Sequence, residues 1–292
     1  METIGFLGAG TVGTALAVSL RRVGYPVVAV ASRSFSSAQR LAAQVEGCRP
    51  YQSFQEVADA VQLVFVTTPD DAIAQVVAAL CPSISTWCPH QMVVHCSGSL
   101  STDVLEPARQ AGAAVGSFHP LQTFASTAQA IENLPGSTFG LEAEEGPLLE
   151  VLKGMVQALG GQSVHLRGQD KALYHAAAVL ACNYFVTLVK LAADLWQAFG
   201  VPTCQSTRAM LPLLRGTLNN LERVGVPGCL TGPIARGDVG TVGKHLAALE
   251  AVAPDILPTY RELGRQTIPV ALAKGTLGQA RAEELHRLLS EE

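Results

Sequence analysis

Past its first two residues the chain reads Thr3-Ile4-Gly5-Phe6-Leu7-Gly8-Ala9-Gly10-Thr11-Val12-Gly13. Thr3 to Leu7 is a short apolar run of strand type, and apolar residues recur at helical spacing over 11–23, with Gly24 as the stop. A glycine triplet spaced GxGxxG thus lies between a strand and a helix, where each glycine has its own use. Gly8 permits the tight turn, Gly10 lets a ligand approach the bare backbone, and Gly13 lets the helix pack closely on the strand. The first N–H groups of a helix, with its dipole behind them, favour an anion such as a pyrophosphate. Gly8, Gly10, Thr11, Val12 and Gly13 are the expected pyrophosphate contacts of a dinucleotide.

Outward from this turn, strand and helix patterns alternate. Strands are predicted at 26–31, 63–67, 92–96 and 113–118, and a helix at 36–45. The runs at 63–67 and 92–96 are continuously apolar, as in strands buried on both faces. Such alternation predicts an α/β Rossmann-type doubly wound parallel sheet. Further strands are expected at 137–141 and 163–166, with a helix at 147–159 between them. Beyond 167 the strand signal stops. Apolar residues at 173, 177, 180, 184, 188, 191 and 195 predict a long helix over 170–199. Helices at 202–224, 238–252, 256–273 and 277–289 complete an all-α C-terminal domain. The expected division is 1–166 for dinucleotide binding and 167–292 for substrate and dimerisation.

Composition agrees with this class. Of 292 residues, 48% are hydrophobic, 15% charged and 5% aromatic, which suits Ala, Val and Leu packing around a buried sheet. A net charge of −4 with no basic stripe argues against a nucleic-acid partner. The best membrane candidate, 176–189, is interrupted by Asn183 and followed by Lys190, so no membrane span is expected. Met1-Glu2-Thr3 carries no basic leader pattern. The seven cysteines form no Cys-x-x-Cys pair or zinc-like cluster. Reduced thiols, no metal and a cytoplasmic location are the expectations.

The second strand ends Val30-Ala31-Ser32-Arg33-Ser34, with no carboxylate to accept from a ribose hydroxyl. Ser32 and Ser34 can donate hydrogen bonds, and the Arg33 guanidinium suits a 2′-phosphate. NADP(H) is therefore expected over NAD(H), unless Arg33 is only a solvated loop residue. Thr67-Thr68-Pro69-Asp70 and His95-Cys96-Ser97-Gly98-Ser99 follow later strands, at the ligand-binding edge of an open sheet. Thr68, Pro69 and Ser97 are the cofactor contacts expected there. Thr68 and Asp70 also fit a helix cap.

Lys171 and His175 are four residues apart and share one helix face, with Asn183 two turns beyond His175. A Lys, a His and an Asn beside a nicotinamide could reduce a carbonyl, a charged donor stabilising the developing alkoxide and delivering its proton. Equally, Lys171 could face solvent and His175 could be a core residue. His119, expected just after a strand, and Arg236, in the loop Gly232-Pro233-Ile234-Ala235-Arg236-Gly237-Asp238, are candidates for holding a substrate carboxylate. Asp238 reads as an N-cap.

The glycine turn, His119-Pro120-Leu121-Gln122-Thr123-Phe124, the 171–184 stretch and Leu230-Thr231-Gly232-Pro233-Ile234-Ala235-Arg236-Gly237-Asp238 together resemble the Rossmann-like proteins that carry a C-terminal domain of unknown function of type 2520. That family belongs to a group with 6-phosphogluconate and 3-hydroxyisobutyrate dehydrogenases, ketopantoate reductase and pyrroline-5-carboxylate reductase. The resemblance implies reduction of a 2-oxo acid, 2-dehydropantoate first, with Lys171 as proton donor and His175 where the hydroxyacid dehydrogenases have Asn. It also implies a homodimer through the helical domain. A cyclic imine reductase and a non-catalytic NADP(H) sensor are the alternatives.

Overall fold

The computed structural model describes residues 1–80 and 91–290, so Cys81, Cys88 and His90 lie outside the described residues. Contacts divide the chain into two compact units, Met1–Cys182 and Asn183–Glu292.

The first unit holds strands β1 (Ile4–Leu7), β2 (Val27–Ala31), β3 (Arg49–Tyr51), β4 (Leu63–Val66), β5 (Met92–His95), β6 (Ala114–Leu121), β7 (Thr138–Ala143) and β8 (Gln162–His165). Helices α1 (Thr11–Arg22), α2 (Phe35–Ala42), α3 (Phe54–Ala60), α4 (Asp70–Leu80), α5 (Glu106–Gln110), α6 (Thr127–Asn133), α7 (Pro147–Ala158) and α8 (Lys171–Ala178) lie between and after them. The eight strands form one sheet in the order β3-β2-β1-β4-β5-β6-β7-β8. Strand order reverses between β1 and β4, and a ligand crevice lies outside the carboxyl ends at such a point.

Both faces of the sheet are covered. On one face Phe6, Phe65, Phe118 and Phe139 form a row with successive ring centroids 5.1, 5.6 and 4.9 Å apart. Leu16, Leu20, Leu152 and Met155 from α1 and α7 belong to the same cluster. On the other face Val64, Val66 and Val93 pack with Val57, Ile73 and Val77. Each fully buried side chain of this size contributes about 1.5–3 kcal/mol, which fixes the strand edge where ligands bind.

Two expectations are corrected. β6 continues through Leu121, so His119 and Pro120 lie within a strand rather than after one. The sheet is not wholly parallel: β7 runs antiparallel to β6, pairing His119 with Gly140, and β8 runs parallel to β7. The short β3 and α6 carry too few residues for a periodic signal and were not expected.

The second unit holds α9 (Tyr184–Leu195), α10 (Thr203–Val224), α11 (Val239–Val252), α12 (Leu257–Lys274) and α13 (Gln279–Ser290). Val242, Leu246, Ile268, Ala271, Leu285 and Leu289 form its core from the last three helices. Ser206 of α10, fully buried, donates to the Ala193 carbonyl of α9 at 3.2 Å. One turn of π-helix, Val179–Asn183, precedes α9.

The expectation that no segment could span a bilayer is also corrected. Helical structure runs unbroken through Asn183, so Gly168–Phe199 is a 32-residue helix with a window of mean hydropathy 1.7, long and apolar enough to cross by length and composition. Only 6% of that window is buried in the chain.

Candidate active site

The glycine turn has the geometry its spacing predicts. Gly8 has φ +118°, and a Cβ there would stand 2.6 Å from the Thr67 carbonyl oxygen. A Cβ on Gly13 would stand 2.5 Å from the Thr67 hydroxyl and 2.7 Å from the Gly8 carbonyl. Gly10 is exposed, and nothing lies within 4 Å of its would-be Cβ. Two glycines are thus demanded by packing, and the middle one faces open space. Gly10 is also the N-cap of α1, without a side-chain cap and with no acidic residue in the first turn. Thr68 adds a buried hydroxyl that has no hydrogen-bond partner among the described residues. An open cradle, uncapped helix N–H groups and an orphaned hydroxyl fit a pyrophosphate-bearing cofactor.

At the end of β2, Ser32 is partly exposed and Arg33 and Ser34 are exposed. The Ser34 and Ser36 hydroxyls are 2.9 Å apart. Arg33 makes no ion pair among the described residues, so its guanidinium is free for an anion. The Thr67 hydroxyl donates to the Gly8 carbonyl at 2.9 Å and ties β4 to the turn. Sequence reading placed Thr67 at the edge but gave it no role, because this bond depends on strand order.

Beyond β5 the chain turns at Ser97-Gly98-Ser99. The Ser97 hydroxyl donates to Asp70 at 2.6 Å, and the Ser99 hydroxyl donates to the same carboxylate oxygen at 3.3 Å. Asp70, the first residue of α4, thereby braces the turn. Pro69 is exposed beside it.

Lys171, the first residue of α8, lies under this turn with 0% exposure. Its ammonium donates to the Ser97 carbonyl at 2.8 Å and to the Ser117 hydroxyl of β6. Burial lowers its pKa to about 8, while the carboxylates of Glu142 and Asp70 act upward. His95, also fully buried, accepts from the Ser97 N–H at Nδ1 and is held down at about 3 by burial and by Lys171. Burial pushes the Cys96 thiol up to about 12, which keeps it from acting as a thiolate.

His119 and His175 meet over Gly98. Their ring centroids are 6.1 Å apart, and a Cβ on Gly98 would lie 2.5 Å from His175 Cδ2 and 2.7 Å from His119 Nε2. Tyr174 completes the group, its hydroxyl 2.9 Å from His119 Nδ1. Its ring occupies the space that a Cβ on Gly140 would need, at 2.9 Å from both Cζ and the hydroxyl. Burial lowers the His119 pKa to about 4, with Lys171 and His175 adding to the effect, and raises that of Tyr174 to about 12.

Of the sequence candidates, Lys171, His175, His119 and Ser97 converge within the first unit. Asn183 and Arg236 belong to the second unit, where both are exposed. Arg236 ends a 3-10 turn, Ile234–Arg236, and Asp238 caps α11 by accepting from the Thr241 N–H at 3.0 Å. Tyr174, Ser117 and Gly140 were missed. Tyr174 reads as one more apolar residue of a helix, and its neighbours on β6 and β7 are distant in sequence.

Residues 2–120 match the model of the Rossmann-like domain, and residues 137–267 match that of the domain of unknown function DUF2520. The chain therefore joins a Rossmann-like domain to a DUF2520 domain. It is similar to a "putative NADP oxidoreductase" from Bacteroides fragilis, with 28% identity, TM-score 0.72, and coverage of 92% of this chain and 98% of that one. Two further solved structures share the fold. One is a pyrroline carboxylate reductase of Plasmodium falciparum with NADP bound, with 15% identity, TM-score 0.61, and coverage of 99% of this chain and 98% of that one. The other is a reductive aminase of Aspergillus terreus in complex with NADPH and ethyl levulinate, with 20% identity, TM-score 0.65, and coverage of 97% of this chain and 98% of that one. Among curated proteins, none matches the chain.

Proposed function

We propose that the protein is an NADP(H)-dependent oxidoreductase that reduces a small compound bearing a carbonyl or imine carbon beside a carboxylate. The observation that carries this reading is the open cradle at Gly10, with the unpaired Arg33 guanidinium at the end of β2. The 28% identical relative from Bacteroides fragilis, described as a "putative NADP oxidoreductase", supports it. Gly10, Thr11, Val12 and Gly13 would hold the pyrophosphate, Ser32, Arg33 and Ser34 the adenosine 2′-phosphate, and Thr68, Pro69 and Ser97 the remainder. NADPH supplies the hydride when bound. The protein's part is to orient the acceptor at the Ser97-Gly98-Ser99 turn, exclude water and direct N–H or O–H groups at the developing charge.

Lys171, as proton donor, would have to reach the substrate from a position with no exposed surface. Two of its three N–H groups are engaged by Ser97 and Ser117. We therefore assign it to holding the turn and supplying positive potential beneath it. Hydrogen bonding to the developing charge and proton delivery fall to His119 and His175, which meet over Gly98. Arg236 and Asn183 are the second unit's candidates for the substrate carboxylate and its orientation.

The first substrate class to test is 2-oxo acids, beginning with 2-dehydropantoate. Cyclic imines carrying a carboxylate are the second, favoured by the enclosure of Lys171, because an imine demands less of a lysine acid. An NADPH-oxidation assay over both classes decides between them. NADPH binding without turnover on either would make the protein a nucleotide sensor.

A homodimer through the second unit and a cytoplasmic location complete the reading. Tyr184, Val186, Leu213 and Leu218 of α9 and α10 are 56, 65, 68 and 55% exposed, an apolar surface that a second copy would cover. Cys48, Cys96, Cys182, Cys204 and Cys229 are free thiols, in keeping with a reducing compartment. Light scattering during detergent-free gel filtration should give twice the chain mass. A monomer mass, or a need for detergent, would refute the dimer.

A further inference from the structure

The strand register places Gly140 of β7 opposite His119 of β6. Glycine at 140 clears the space into which the Tyr174 ring fits, and the ring meets that of His119 edge-on with centroids 5.5 Å apart. The Tyr174 hydroxyl lies 2.9 Å from His119 Nδ1. Of the two groups the phenol O–H is the stronger donor, and a bare imidazole nitrogen is a better acceptor than a phenol oxygen, so the hydroxyl donates to Nδ1.

We infer that Tyr174 donates to His119 Nδ1 and thereby fixes His119 as a neutral imidazole with its proton on Nε2, directed at Gly98 in the turn between Ser97 and Ser99. Which ring nitrogen carries the proton is set by the bond the other one makes. His119 is then a catalytic residue, a preset hydrogen-bond donor to the oxygen or nitrogen on which charge accumulates as hydride arrives. Tyr174 is a positioning residue that never touches the substrate. This assignment rests on the reductase reading above.

The surroundings are consistent with a neutral ring. The titratable groups facing His119 are His95 from β5 and Lys171, Tyr174 and His175 from α8. Lys171 and His175 both oppose a positive charge on His119, and burial opposes it more. A neutral N–H donor keeps its proton throughout the range in which an ordinary histidine titrates, so its donor function is independent of pH there.

The test is nitrogen NMR of the 15N-histidine-labelled full chain without ligand. The His119 signals among the seven histidines are assigned by their disappearance in His119→Gln. Expected is a pyrrole-type Nε2 and a pyridine-type Nδ1 from pH 6 to 8. In Tyr174→Phe the two tautomers should mix and the His119 midpoint should move upward, while the NADPH dissociation constant stays within about twofold. A wild-type His119 protonated on Nδ1 would overturn the inference, and so would an unchanged tautomer in Tyr174→Phe. Should that variant not fold, the wild-type spectrum decides alone. Failure to bind NADPH would remove the reductase reading while leaving the tautomer result standing, so the two failures are distinguishable.

Discussion

The Thr67 hydroxyl donates to the carbonyl of Gly8, 59 residues earlier in the chain, at 2.9 Å. The same oxygen stands 2.5 Å from the position of a Cβ on Gly13. One threonine therefore holds the turn from below and forbids a side chain on the helix that follows. Gly10, between these two glycines, meets no such constraint.

The three glycines should consequently separate in a substitution series. Gly13→Ala forces a methyl group into Thr67 and should cost about 1–3 kcal/mol of stability, as overpacking does. Gly10→Val should leave thermal unfolding nearly unchanged and reduce NADPH affinity by about tenfold or more, equal to about 1.4 kcal/mol. Unfolding curves and fluorescence titrations on the same samples check both. Intact NADPH binding in Gly10→Val would show that the ligand does not approach there.

Arg33→Glu should act on the phosphorylated coenzyme alone. Replacing a free guanidinium by a carboxylate removes one attraction and adds a repulsion, so NADPH affinity should fall by about tenfold to a hundredfold with NADH little changed. Equal losses for both coenzymes would mean that Arg33 supports the loop rather than reading a phosphate.

Legibility from sequence followed the range of the interactions. The glycine turn, the longer strands β1, β2, β4 and β5 and the C-terminal helices rest on local spacing, and the turn's three glycine roles could be assigned outright. Lys171, His175 and His119 were recognisable as chemical residue types. Their actual relation was not, because it depends on the antiparallel return of β7 beside β6. That return brings Gly140 beneath Tyr174 and turns a helical tyrosine into a partner of His119. The burial of Lys171 was equally hidden, since the atoms that enclose it come from 54 and 74 residues away.

Acid should destabilise the protein through its buried histidines. His95 is held down at about 3 and His119 at about 4, against an ordinary 6.5. Between those values the unfolded chain binds more protons than the folded one, so stability falls as pH drops below about 6.5. For the fully buried His95 the slope approaches about 1.4 kcal/mol per pH unit. Urea unfolding at pH 7.5 and 5 should show a smaller difference in His95→Gln than in the parent. An equal difference would mean that His95 is protonated in the folded chain.

Lys171 works at the other end of the scale. With a folded value of about 8 against an ordinary 10.5, its burial costs stability below pH 8, and the cost is relieved as pH rises toward 10.5. Comparison with Lys171→Met isolates this from Cys48 and Cys96, whose thiols are pushed up to about 12 and act in the opposite sense above pH 9. The parent should gain stability relative to Lys171→Met between pH 8 and 10. A constant difference would show an ordinary lysine.

Glycine at 98 should be as necessary as glycine at 13, for a different reason. A methyl group there stands 2.5 Å from His175 and 2.7 Å from His119. Gly98→Ala should therefore lower turnover on any reducible panel substrate by about tenfold or more, the scale of a misplaced catalytic group. NADPH binding should change by less than about threefold, a loss under 1 kcal/mol. Turnover at the parental rate would remove the two histidines from the reaction.

The measurement closest to the centre is an equilibrium titration of the purified chain with NADPH and, separately, NADH. Saturable binding of NADPH near about 1 μM, with NADH at least about tenfold weaker, is the expected result. Tighter binding of NADH would contradict the role of Arg33, and absence of binding by either coenzyme would contradict the oxidoreductase assignment itself.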